Sequence, residues 1–185
     1  MIHNQDILEK LKKGNETYLT ASCNPGNVSD AIRKDTTVNG QHPYAIVICC
    51  SDSRVVPEAI FSVGIGEIFT IRAAGNVINN TQLGSIQYAA GHLGCKVIIV
   101  LGHTHCGAVG ASLQGGGHGY VKFLTDEIIA NIGGEKDEYK ASCINAQKGA
   151  EKIKAALADD KESLTDTTDV LAAVYDIETG KVEFL

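Results

Sequence analysis

Two short clusters carry the reactive side chains of this sequence: Cys-Ser-Asp-Ser-Arg at 50–54 and Gly-His-Thr-His-Cys-Gly at 102–107. Cys50, His103 and Cys106 form the pattern C-x52-H-x2-C, one distant thiol joined to a close histidine–cysteine pair. Two thiolates and one imidazole suit a tetrahedral zinc ion and leave its fourth position open, as catalytic rather than structural sites do. Fingers and ribbons bring two close ligand pairs, which this spacing lacks. The competing reading is a buried thiol pair with a loop histidine facing water. Cys49 is adjacent to Cys50, and neighbouring side chains on a strand face opposite sides, so one of the two reaches a shared site more easily. Cys50 is nearer the strand's exit. His103 and His105 both remain candidates on spacing alone.

Asp52 and Arg54 alternate with Cys50, so an extended backbone would present all three side chains to one cavity. A carboxylate there either takes the fourth metal position or accepts a hydrogen bond from water, and Arg54 can hold it in a bidentate pair. The competing reading is a surface ion pair of little energetic weight. Zinc with two thiolates and a neutral imidazole is formally neutral and polarises water less than a three-histidine site, which gives a base-like Asp52 something to do.

These clusters need elements to hold them. Residues 44–50, YAIVICC, are a continuous apolar run and predict a strand buried on both faces, as in a parallel sheet. Residues 95–102, CKVIIVLG, predict the strongest strand, and 67–75 begin as another. Helices are predicted over 4–21, near Asp30, after Ser51 or Ser53 as a cap with Pro57 in the first turn, and over 79–94, 107–113, 120–132 and 139–158. The tail from Thr168 reads as two strands with a tight turn at Thr179-Gly180. Strands alternating with helices predict an α/β fold around a mainly parallel sheet, with the last hairpin as an antiparallel edge. Functional groups in such sheets collect beyond the strands' carboxyl ends, where both reactive clusters lie. RAAGN at 72–76 is either a polar turn lining the same cavity or a plain connection, and Gly102 and Gly107 permit close packing or a positive φ around the HTHC turn.

The 185 residues fit one domain, 1–185, with no linker to divide it. Sixteen basic against 22 acidic residues give a net charge of −6, and without a basic block nucleic acid is not an expected partner. No apolar run is long enough for a membrane span, and the first residues lack the apolar core of a secretory signal. The six cysteines, at 23, 49, 50, 95, 106 and 143, are therefore read as reduced thiols in the cytoplasm. Gly115–Gly117 form a loop without the lysine of a phosphate-binding motif.

CSDSR at 50–54, RAAGN at 72–76, GHTHCGA at 102–108 and YDIETGKVEF at 175–184 together resemble the β-class carbonic anhydrases over most of the chain. The resemblance implies Cys50, His103 and Cys106 as ligands of one zinc ion per chain, and Asp52 and Arg54 as the catalytic dyad. It implies about four parallel strands, an N-terminal helical arm over 4–21 that embraces a partner, and a homodimer or tetramer. The implied reaction is reversible hydration of carbon dioxide to bicarbonate. Carbonyl sulfide or carbon disulfide hydrolysis on the same scaffold and a non-catalytic zinc protein are the alternatives. The sequence departs from the family pattern at Gly64-Ile65-Gly66, where many members carry Gln-Pro-Gly, and at Ala73, where many carry asparagine. His105 occupies a variable position and is a candidate proton relay.

Overall fold

The architecture follows from two strands that are apolar on both faces. In a computed structural model that describes residues 3–160 and 168–185, β1 (Ala45–Cys49) and β3 (Val97–His103) are buried at every position and pair in parallel. Ile46, Ile48, Ile98 and Val100 point to one side, onto α4 (Asn80–His92) and α7 (Glu138–Ala156). Ala45, Val47, Cys49, Val97, Ile99 and Leu101 point to the other, onto α1 (Asn4–Thr20) and α3 (Pro57–Ile60). Each large aliphatic side chain removed from water in this way contributes roughly 1.5–3 kcal/mol before entropy is charged against it.

β2 (Ile68–Arg72) flanks β1, and β4 (Asp169–Tyr175) flanks β3, both parallel. β5 (Val182–Phe184) closes the sheet antiparallel to β4, giving the order β2-β1-β3-β4-β5. The expected α/β layout, four parallel strands with an antiparallel C-terminal edge, is the one observed. The chain moves outward from β1 to β2, then crosses back to β3, so the order reverses between β1 and β3 and opens a crevice beyond their carboxyl ends. The remaining helices, α2 (Asp30–Asn39), α5 (Gly107–Leu113) and α6 (Val121–Ile132), and a 3-10 turn at Ala74–Asn76 complete the described residues.

α1 docks through Ile7, Leu11 and Asn15, while Leu19 is 40% exposed. Asn15 donates to the carbonyls of Ile60 and Gly180 and accepts from the Val182 N–H, tying the helix to α3 and to the β4–β5 turn. Gly14 allows the close approach, since a Cβ there would lie 2.0 Å from the Phe61 carbonyl oxygen.

The helix after β1 differs from expectation. Neither Ser51 nor Ser53 caps it; α3 starts at Pro57 after an uncapped Val56. The Asp52 carboxylate accepts the Arg54 backbone N–H at 2.9 Å, and this local bond turns residues 52–55 into a loop in competition with the helix. The β4–β5 connection is also wider than a two-residue turn. The Asp176 N–H donates to the Lys181 carbonyl at 2.8 Å, and its carboxylate accepts the Glu178 and Thr179 N–H groups. Gly180, at φ +78°, supplies the left-handed residue.

Candidate metal centre

Strand register sets the site. Cys49 lies opposite Leu101, so Cys50 leaves β1 one step later, level with the end of β3, where His103 is the last residue. Cys106 follows just before α5. The two sulfurs and an imidazole nitrogen of Cys50, His103 and Cys106 all lie within 4.8 Å of one another, the one such group among the described residues. All three residues are buried, His103 completely. Gly102 makes room, because a Cβ there would come 3.1 Å from the Ser142 carbonyl oxygen of α7. Gly107 has open space around it and plays no such part.

Both ambiguities of spacing resolve in the geometry. Cys49 turns to the α1 side of the sheet, among apolar neighbours, and burial pushes its thiol up to about 12. His105 sits at φ +55° with its side chain 64% exposed, its Nδ1 4.0 Å from a Glu138 carboxylate oxygen and outside the buried cluster. His103 Nδ1 lies 2.9 Å from the Thr104 carbonyl oxygen. A carbonyl can only accept, so Nδ1 carries the proton and Nε2 presents its lone pair. That Nε2 is buried without a hydrogen-bond partner.

The sulfurs are prepared for a cation. Cys50 Sγ accepts the backbone N–H groups of Asp52 at 3.3 Å and Gly75 at 3.2 Å. A hydrogen bond from the Cys106 thiol, together with these two N–H groups, holds the Cys50 thiol down to about 4, while its negative neighbour and burial push Cys106 well up. The pair thus gives up one proton readily and the second only when positive charge replaces it. Two sulfurs, an orphaned imidazole nitrogen and an apolar surround of Val77, Val109, Ile128 and Ala141 fit a single zinc ion. Val56 is 40% exposed and is not part of this surround.

Asp52 and Arg54 pair, but across a turn rather than along the extended backbone that the alternation assumes. Arg54 Nε and Nη2 donate to the two carboxylate oxygens at 2.9 and 2.7 Å, and Nη2 also reaches the His105 carbonyl at 3.1 Å. The Arg54 guanidinium holds the Asp52 carboxyl well below the usual carboxylate range. The carboxylate faces Arg54 and is not one of the clustered ligand atoms. Arg72, which spacing alone did not single out, donates to the carbonyls of Cys50 at 3.2 Å and Asp52 at 2.7 Å and so fixes the loop that carries both. RAAGN is therefore part of the site rather than a plain connection: Arg72 braces its backbone and Gly75 bonds its sulfur.

The carbonic anhydrase family profile matches residues 45–182. A carbonic anhydrase of Mycolicibacterium smegmatis is 34% identical over 94% of this chain and 89% of its own length. The chain belongs to the β-class carbonic anhydrase family. Carbonic anhydrase 2 of Mycobacterium tuberculosis is 38% identical over a segment covering 66% of this chain and 61% of that protein. Among solved structures, the β-carbonic anhydrase CafA of Aspergillus fumigatus superposes with a TM-score of 0.69 at 26% identity, covering 84% of this chain and 81% of that one. The β-carbonic anhydrase CcaA superposes with a TM-score of 0.69 at 26% identity over 98% and 91% of the two chains. As in the sequence, the family fold here holds its reactive groups at the crevice between β1 and β3.

Proposed function

We propose that this chain is a carbonic anhydrase, catalysing reversible hydration of carbon dioxide to bicarbonate with one zinc ion held by Cys50, His103 and Cys106. The observation that carries the reading is the buried Cys50–His103–Cys106 group within 4.8 Å, with the His103 Nε2 unpartnered. Zinc in that position supplies Lewis acidity that makes a water molecule nucleophilic near neutral pH. The chain's own groups supply the rest. Asp52, kept ionised by Arg54, accepts a hydrogen bond from the attacking water and aligns its lone pair. The bidentate grip of Arg54 keeps that carboxylate from closing on the metal position. Val77, Val109 and Ile128 present an apolar wall suited to an uncharged, linear substrate and limit competing water.

The same reading has residues 1–185 working as one catalytic unit, assembled as a homodimer or tetramer in the cytoplasm, with neither nucleic acid nor membrane as partner. No helix among the described residues is long and apolar enough to cross a membrane, and the net charge of −6 disfavours a polyanion.

The test pairs metal analysis with stopped-flow hydration of carbon dioxide. Wild type should carry about one zinc per chain and turn over, and Cys106→Ser should lose both. A zinc-loaded protein inactive across pH 7–9 would overturn the reading, and sulfide release from carbonyl sulfide or carbon disulfide without bicarbonate formation would reassign the substrate.

A further inference from the structure

Gly75 holds its N–H on the Cys50 sulfur from a backbone that has every reason to relax. It lies at φ +66°, ψ 18°, and the next residue, Asn76, is also left-handed at φ +46°. Two successive residues in that region are uncommon, and the second is not glycine. The turn is pressed beneath two helices: a Cβ on Gly75 would lie 2.6 Å from Ile128 Cδ1 of α6 and 3.0 Å from Ala108 Cβ of α5. Packing limits where Gly75 can go but does not aim its peptide groups.

The aiming comes from α7. Asn145, 2% exposed, donates from Nδ2 to the Gly75 carbonyl at 2.9 Å. Its own Oδ1 accepts from Asn131 Nδ2 of α6 at 2.9 Å, which sets the amide's orientation. α7 is itself seated on β3, since a Cβ on Gly149 would lie 3.1 Å from Val100 Cγ1. A chain of contacts thus runs from the sheet through Asn145 to Gly75 and on to the sulfur.

We infer that Asn145 is a positioning residue of the metal centre, which holds the Gly75 turn so that its N–H stays directed at Cys50 Sγ. The inference rests on the reading of Cys50 as a zinc ligand. Partners that orient a ligand from behind are worth about 10- to 100-fold in metal affinity. An N–H directed at a thiolate also withdraws electron density from it, so its loss should change the sulfur's electronic signature and not only the strength of binding.

The experiment measures zinc affinity by chelator competition, and the sulfur-to-metal charge-transfer band of the cobalt-substituted protein, on wild type, Asn145→Ala and Ser142→Ala. Ser142 lies one turn earlier on the same helix, and its buried hydroxyl has no partner. Asn145→Ala should weaken zinc binding about tenfold and move the band to lower energy, while Ser142→Ala leaves both at wild-type values. A folded Asn145→Ala protein with unchanged affinity and band overturns the inference, as does an equal change in Ser142→Ala. Should Asn145→Ala fail to fold, Asn131→Ala at a half-buried position carries the same test, and wild-type values for both readouts there overturn it. Zinc binding by wild type that survives Cys50→Ser would instead overturn the ligand assignment beneath it.

Discussion

Asp52 concentrates much of the electrostatics of this site at one residue. Its folded-state pKa is depressed, so its contribution to stability is fully present above the unfolded value of about 3.9 and is lost as pH falls through the folded value. Arg54→Gln should return the carboxyl toward its ordinary range, and the part of the acid loss of stability that Asp52 causes below about pH 4 should then shrink relative to wild type. Melting temperatures recorded from pH 2 to 5 check this, and the difference should be small because Arg54 is half exposed. Asp52→Asn should keep the zinc content while lowering kcat about 100-fold, read by stopped-flow hydration on metal-quantified protein. Cys50, Asp52, Arg54, His103 and Cys106 could all be picked out as candidates in the sequence, because residue type and close spacing carry that information, although the turn that joins Asp52 to Arg54 could not. The choice between His103 and His105 was not, since it depends on a left-handed backbone at His105 and on the Thr104 carbonyl fixing one ring nitrogen. Asn145 left one trace, a polar residue that with Ser142 interrupts the otherwise small and apolar stripe of α7, but its partner Gly75 is seventy residues away in sequence.

At the scale of elements, apolar runs and caps were the readable signals. β1 and β3 announce themselves as unbroken hydrophobic segments, and α4 is capped by Asn79, whose side chain accepts the Thr81 N–H while the Gln82 side chain accepts the Asn79 N–H. Asn79→Ala should cost about 1 kcal/mol in urea unfolding. The start of α3 was misread because the Asp52 side chain competes for the N–H groups a helix would use, and that competition depends on where Arg54 and Arg72 hold the loop. Asn15 presents the opposite case, a polar residue that completes a buried helix face. Its three hydrogen bonds join α1, α3 and the last turn. Asn15→Ala should therefore lower unfolding free energy by about 3 kcal/mol, since it leaves buried backbone groups without partners. A denaturant midpoint unchanged from wild type would contradict that role.

For the whole molecule, the strand order could be anticipated only as a class. Alternating strands and helices predict a parallel sheet, but nothing local in β2 or β4 says which neighbours β1 and β3 take, because that choice is made by docking of faces far apart in sequence. The reversal between β1 and β3 has a further consequence for assembly. The unfolded chain owns only the His103–Cys106 half of the ligand set, and Cys50 joins it when the two strands dock, closing a loop of about fifty residues. Zinc should accordingly raise the melting temperature, EDTA should reverse the rise, and Cys50→Ser should abolish it although the close pair is intact. A bound ion would then act as a rivet through the middle of the sheet, and its retention during purification would report that the tertiary structure had been completed.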